Sequence, residues 1–289
     1  MIWIAGLRRS VFKGPLAPLC VGVIDEVHDY AGVGISWREL IQAPFAGHFN
    51  ILICTEAKIR NALLLKRLSH DTFISPAANF RLSDRRLERG KGYPESIFDQ
   101  LRCLAELSVG RRLDIDAHVS VGAENERLAA ELLPQEGAYI GFAPGSAGAS
   151  KRWPLARFIQ LAKQVGSLGS RPVFFLGPEE SSMQSDIAAG VPNALFPEQN
   201  LVGGPLLSIA LARRLSVGVA NDAGGGHILA AGGRPLVSLF GHTSEHKFKP
   251  PYGTRVAISS REYGGTNISL IPVDRVFQEI RILGGFQRG

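Results

Sequence analysis

Only three cysteines occur among the 289 residues, Cys20, Cys54 and Cys103. They share no metal-ligand spacing and cannot all pair, which argues against a zinc module or a disulfide framework and for buried thiols in a reducing compartment. Long hydrophobic runs are lacking as well. Ala138 to Ala143 and Pro235 to Phe240 are strand-sized, far short of the roughly 20 residues a spanning helix needs, so no membrane crossing is expected. The N-terminus carries no basic segment, long apolar core or cleavage site, and no secretory signal is expected although Ile2-Trp3-Ile4-Ala5 is apolar. A G-x-S-x-G elbow for hydrolysis and a G-K-[ST] loop for phosphoryl transfer are both absent. Asp114-Ile115-Asp116 has the form of a metal-binding D-x-D but stands apart from any glycine loop and reads as part of a connecting strand. With no other Asp/His cluster, neither a metal nor a cofactor is expected.

What remains is an ordinary folded composition: 45% hydrophobic and 20% charged residues, with a mean hydropathy of +0.07. The length suits two domains, each able to bury its own core. A net charge of +6 and a pI near 9.4 suit an acidic partner. Arginines are spread over Arg81 to Arg89 and Arg111-Arg112 without interleaved aromatics at a stacking spacing, so no nucleic-acid partner is expected.

From Ala138 onward strand and helix patterns alternate. Tyr139 to Ala143, Val173 to Leu176, Leu215 to Ala220 and Leu236 to Phe240 read as strands. Between them lie a helix opening near Pro154, with Phe158, Ile159, Ala162 and Val165 on one face, and a second over Pro205 to Arg214. Repeated β-α units predict a parallel sheet covered on both faces, with ligands bound beyond the carboxyl ends of its strands. The first half is less regular, yet Ile51 to Cys54 followed by a helix through Leu68 is again a β-α unit. Helices are predicted over Ser96 to Leu107, Glu124 to Leu133 and Val273 to Leu283. The apolar pattern breaks at Pro134 to Gly137, predicting domains over residues 1–135 and 136–289.

Two segments carry the chemistry. Leu215 to Ala220 runs into Asn221-Asp222-Ala223-Gly224-Gly225-Gly226-His227, read as a glycine turn followed by a helix starting at His227. A helix start offers free amides and partial positive charge, and glycines admit an anion closely, so a pyrophosphate fits here. An ordinary β-α turn would also explain a lone glycine run. Upstream, Pro144-Gly145-Ser146-Ala147-Gly148-Ala149-Ser150-Lys151-Arg152-Trp153-Pro154 joins a small-residue loop to a lysine. Ser146 can donate to phosphate and Lys151 can supply a point charge to a leaving diphosphate, while a solvated lysine beside a core tryptophan is the plainer alternative.

The two segments, in this order and about 70 residues apart, resemble glycosyltransferase family 9, the bacterial heptosyltransferases of the lipopolysaccharide inner core. The resemblance is good from Tyr139 to roughly Pro251 and looser before it. It implies a GT-B-type α/β fold: two Rossmann-like domains with parallel sheets facing a cleft, the first holding the acceptor and the second a nucleotide-diphosphate sugar. Lys151 would then face the phosphates, Gly224, Gly225 and Gly226 would supply amides, and Asp222 would meet a sugar hydroxyl. Either Glu179 or Glu180, in Leu176-Gly177-Pro178-Glu179-Glu180, would accept ribose hydroxyls. As two glutamates at a helix start they could equally serve its dipole. Leu201 and Val202 would line the adenine pocket. His227 would either fix the turn or touch the ligand, and Ala223 stands where the family usually has threonine. The family's opening Gly-Asp, whose aspartate is the expected base, occurs nowhere in the sequence. The first β-α unit is therefore expected to be missing, with Ile2 to Ala5 as the second strand and Glu56 as substitute base or acceptor contact.

The reading that follows is a glycosyltransferase that moves heptose from ADP-heptose to a lipid-linked lipopolysaccharide core acceptor, cytoplasmic and peripheral at an anionic inner-membrane face. A nucleotide-sugar-binding homologue with impaired catalysis is the alternative. An epimerase of related fold would need its own acid and base.

Overall fold

In a computed structural model of the chain, the described residues are 1–4, 10–14, 16–29, 47–88, 90–114, 119–137, 139–198, 204–251 and 253–286. The chain divides into two compact units, Met1–Ala117 and His118–Gly289.

In the first unit, β1 (Ile2–Ile4) pairs in parallel with β2 (Glu26–His28), Ile2 opposite Glu26. Separately, β3 (Phe49–Ile53), α1 (Ile59–Leu65) and β4 (His70–Ile74) form a β-α-β unit with parallel strands. Alternation along the two strands sends side chains to opposite faces. Leu52, Cys54 and Phe73 close with Ala62 and Leu65 of α1, whereas Ile74 and Phe80 close with Leu104 of α2 (Ile97–Val109) on the other face. Ser96 caps α2 by accepting from the Asp99 amide at 3.4 Å, and Gly110 ends it at φ +70°, where a side chain would be strained.

The second unit opens with α3 (Ala123–Leu132) and then builds a five-stranded sheet from β5 (Tyr139–Ala143), β6 (Arg171–Phe174), β7 (Leu215–Asn221), β8 (Leu236–Phe240) and β9 (Arg255–Ser259). Its order is β6-β5-β7-β8-β9 and every pairing is parallel. Strands buried on both faces explain the near-continuous apolar runs read from the sequence. The helices are α4 (Leu155–Gly166), α5 (Met183–Gly190), α6 (Gly204–Ala212), α7 (Gly224–Ala231), α8 (Glu245–Phe248) and α9 (Val273–Leu283). Phe158, Leu161 and Val165 of α4 meet Val276 and Ile280 of α9 over Phe142, Val217, Val219 and Val237 of the sheet. The opposite face takes α7, whose glycines touch Ala143 and Ala220.

The division between the units falls ahead of the break at 134–137. Packing explains it: α3 lies on α6, and Glu126 pairs with Arg213 immediately after α6. Unforeseen elements were β4, β9, α5 and α8: β4, β9 and α8 open on His70, Arg255 and Glu245, and α5 follows Met183 with Gln184-Ser185-Asp186, so none shows a clear apolar period. The glycines of residues 224–226 form the first turn of α7 rather than a turn before it, and none has a positive φ.

Candidate functional site

The order β6-β5-β7 reverses direction between β5 and β7, so the loops leaving these neighbouring strands diverge and open a crevice at their carboxyl ends. The loop after β5 carries Lys151; β7 ends at Asn221, directly before Asp222. Although 71 residues separate them, Lys151 Nζ lies 2.9 Å from Asp222 Oδ2 and 3.4 Å from the Asp222 carbonyl oxygen. The Asp222 side chain is 6% exposed and that of Lys151 30%. Lysine and aspartate therefore form one half-sheltered ion pair, replacing the freely solvated lysine that the sequence also allowed.

Asn221, passed over in reading the sequence for chemistry, holds this loop. Its side-chain amide donates to the Pro144 carbonyl at 2.7 Å and accepts from the Trp153 amide at 3.1 Å, spanning the lysine loop from entry to exit. Asn221 is 1% exposed, and both bonds satisfy buried backbone groups. An asparagine at the last buried position of a strand, just before the glycine motif, was the available signal. Trp153 is the core anchor: its indole donates to the Ile271 carbonyl at 3.0 Å and its ring meets Phe158 edge-on at 5.0 Å. Arg152 Nε donates to the carbonyl of buried Ser146 at 2.6 Å, tightening the loop further. Phe248 of α8 lies beside the pair, its ring centre 5.6 Å from Lys151 Nζ and 5.4 Å from Lys247 Nζ.

The start of α7 lies next to Asp222. The Gly226 amide donates to the Ala223 carbonyl at 3.0 Å, whereas Gly224 and Gly225 are the first two helical positions, whose amides have no carbonyl one turn earlier to bond. Ala223 is the N-cap and contributes no side-chain bond. The three glycines are not equivalent. A Cβ on Gly225 would stand 3.0 Å from the Ala143 Cβ, and one on Gly226 2.9 Å from the Asn221 carbonyl oxygen, so these two let α7 press onto β5 and β7. Around Gly224 a Cβ would meet nothing within 4 Å. The side-chain direction is thus open at Gly224 alone, while the amides of Gly224 and Gly225 both lack a partner within the helix. His227 keeps solvent exposure at the edge of this turn. Partial burial pushes its imidazole below the ordinary value; Asp222 opposes that and Lys151 adds to it.

The two glutamates separate as well. Glu179 is exposed, whereas Glu180 turns inward: a Cβ on Gly145 would stand 2.6 Å from its carboxyl carbon, and one on Gly177 2.7 Å from Oε2. Two glycines at the ends of β5 and β6 thereby make room for the Glu180 carboxylate beside the lysine loop. Leu201 and Val202 lie outside the described residues. Glu56 belongs to the first unit, just past β3, where it accepts from Asn61 Nδ2 at 2.6 Å and pairs with Lys58 at 3.4 Å. Among the described residues no group of three or more histidine, cysteine or carboxylate side chains is positioned to hold a metal ion.

Comparison with known proteins bears on this arrangement. The model of glycosyltransferase family 9 (heptosyltransferase) matches residues 37–268. Lipopolysaccharide heptosyltransferase 2 of Salmonella typhimurium is 34% identical over 148 residues, covering 48% of this chain and 41% of that protein; the match thus spans less than half of the relative. Among solved structures, the glycosyl transferase family 9 protein from Veillonella parvula superposes with a TM-score of 0.71 at 20% identity, covering 99% of this chain and 88% of that one. E. coli heptosyltransferase WaaC with ADP superposes at 0.62 and 17% identity, covering 98% and 100%. At these identities the likeness is one of fold.

Proposed function

The chain belongs to glycosyltransferase family 9, and from that premise we propose that it transfers heptose from ADP-heptose to the saccharide core of a lipopolysaccharide. One observation carries the donor half of this reading: the Lys151–Asp222 pair, 2.9 Å apart at the switch point of the sheet and beside the open start of α7. An ammonium and helix-start amides converging at one place suit a diphosphate. Lys151 and the amides of Gly224 and Gly225 face the phosphates in this proposal, Asp222 takes a sugar hydroxyl, and Glu180 rather than Glu179 accepts from the ribose. Ser146 and Ala223 line the loop and the helix cap, and His227 borders the anion at the exposed edge of the turn.

In the transfer, the acceptor oxygen bonds to the anomeric carbon as the bond from that carbon to the diphosphate oxygen breaks. The acceptor proton passes to a base, and ADP leaves with the added negative charge. Lys151 and the amides stabilise that charge as it develops. Glu56 is the carboxylate we assign to the acceptor side. The net charge of +6 suits a cytoplasmic protein resting on an anionic membrane face.

The alternative reading is that donor binds without turnover. Incubation with ADP-heptose and heptose-deficient lipopolysaccharide, followed for heptosylated product and free ADP, separates the two. Product together with ADP supports transfer, binding without either supports the second reading, and no binding at millimolar ADP-heptose overturns both.

A further inference from the structure

The second unit distributes its cations unevenly between the two ends of its sheet. At the amino ends of the strands they are bonded inward: Arg213 pairs with Glu126 and Arg234 with Glu136, while Arg214 donates to the Leu133 carbonyl and Arg255 to the Ala230 carbonyl. At the carboxyl ends they point to solvent. The loop after β8 exposes His242, His246, Lys247 and Lys249, and the loop after β9 exposes Arg261. Arg261 Nη2 donates to the His242 carbonyl at 3.2 Å, so the two loops are tied to each other. The Phe248 ring, centred 5.4 Å from Lys247 Nζ and 5.6 Å from Lys151 Nζ, joins the group to the donor crevice. Residues 241–249 and 260–265 include two carboxylates. Glu245 is half-buried with His246 at 3.7 Å, and Glu262 turns back to accept from the Ser259 amide at 2.9 Å. Among the described residues no carboxylate pairs with Lys247, Lys249 or Arg261.

Lysine heads are strongly hydrated point charges on flexible stems. Exposed on two loops and held in no pocket, they match a plane of negative charge better than a single bound anion, and an anionic lipid surface is such a plane. We propose that the loops after β8 and β9 dock the second unit onto an anionic phospholipid surface through Lys247, Lys249 and Arg261. Docking brings the donor crevice to the surface from which a lipid-linked acceptor projects. That purpose rests on the transferase reading, whereas the docking itself does not.

The test is co-sedimentation of the full chain with vesicles of phosphatidylcholine alone or in equal parts with phosphatidylglycerol, without donor or acceptor, so that its outcome is separate from that of the transfer assay. Binding is expected to require phosphatidylglycerol and to fall as salt rises from about 0.05 to 0.5 M, where screening shortens the reach of surface charge. Each lysine or arginine near such a surface contributes about fivefold to partitioning. Lys247→Gln combined with Lys249→Gln is therefore expected to weaken binding roughly 30-fold. Lys163→Gln combined with Arg171→Gln removes two exposed cations on α4 and at the start of β6, and is expected to weaken it less than about threefold because these charges lie away from the docked end. No binding to phosphatidylglycerol vesicles, or equal loss in the two double variants, would overturn the proposal. So would release by inorganic phosphate beyond that by chloride of equal ionic strength, the mark of a single-anion site.

Discussion

Replacing Lys151 with alanine removes one of the two charges that meet at the switch point, and its effects on affinity and on stability can be told apart. A charge-assisted bond to the diphosphate contributes about 1.5–3 kcal/mol. At 1.4 kcal/mol per factor of ten, ADP affinity should fall roughly 10- to 150-fold. Adenosine, which lacks the phosphates, should bind within about twofold of its original affinity, because a 0.4 kcal/mol change is all such a factor needs. Stability changes for a separate reason. Asp222 is left without the ammonium 2.9 Å away, and its side chain is sheltered while that of Lys151 is 30% exposed. The loss should therefore fall between the exposed and buried limits for ion pairs, roughly 1–3 kcal/mol. Adding Asp222→Asn should recover most of the stability but not the ADP affinity. Isothermal titration with ADP and adenosine, beside urea unfolding of both variants, measures each quantity. Equal loss for the two ligands, or recovery of ADP binding by Asp222→Asn, would refute a direct contact between Lys151 and phosphate.

Asn221→Leu leaves the Trp153 amide and the Pro144 carbonyl buried and unpaired, and should destabilise the chain by about 2–5 kcal/mol; Asn221→Asp, which can still accept from Trp153, should cost less in the same urea titration. Gly224→Ala should raise stability by about 0.5–1 kcal/mol through helix propensity yet weaken ADP binding, because the methyl occupies the open approach. Gly226→Ala should instead destabilise through its 2.9 Å encounter with the Asn221 carbonyl oxygen; thermal melts with and without ADP distinguish the two glycines. Burial pushes the Glu198 carboxyl above the ordinary glutamate value against the opposing bond from Ser208, so the folded chain holds this proton at a pH where the unfolded chain has released it. Its contribution is full below about pH 4.3, the free glutamate value, and is lost as pH rises through the folded value. Glu198→Gln should flatten the fall in melting temperature above pH 4.3.

The sheet of the second unit was legible because its strands are apolar runs of four to seven residues punctuated by Pro and Gly, and α9 was read to the residue from Val273, Val276, Phe277, Ile280 and Leu283. Arg255–Ser259 and His70–Ile74 were not, since each opens on a charged or polar residue at a strand end where no alternation is required. The glycine segment shows the limit of local reading. Its composition suggests flexibility, but Gly225 and Gly226 are small because a helix lies against Ala143 and Ala220, contacts between residues far apart in sequence. The nearness of Lys151 to Asp222 follows from the adjacency of β5 and β7, which strand order decides and spacing does not reveal. The choice of Glu180 over Glu179 likewise depends on two glycines, Gly145 and Gly177, in the loops that follow β5 and β6.

The central claim is that the open start of α7 and Lys151 together hold a nucleoside diphosphate. Titrating ADP into isotope-labelled protein in the presence of EDTA, with amide and lysine side-chain resonances followed by NMR, addresses it most directly. The expected result is saturable shifts concentrated at Gly224, Gly225 and the Lys151 side chain, with smaller ones at Glu180 and His227 and none in β1 to β4. Saturable ADP binding that leaves Gly224, Gly225 and Lys151 unmoved, or that appears only when a divalent metal replaces EDTA, would contradict it.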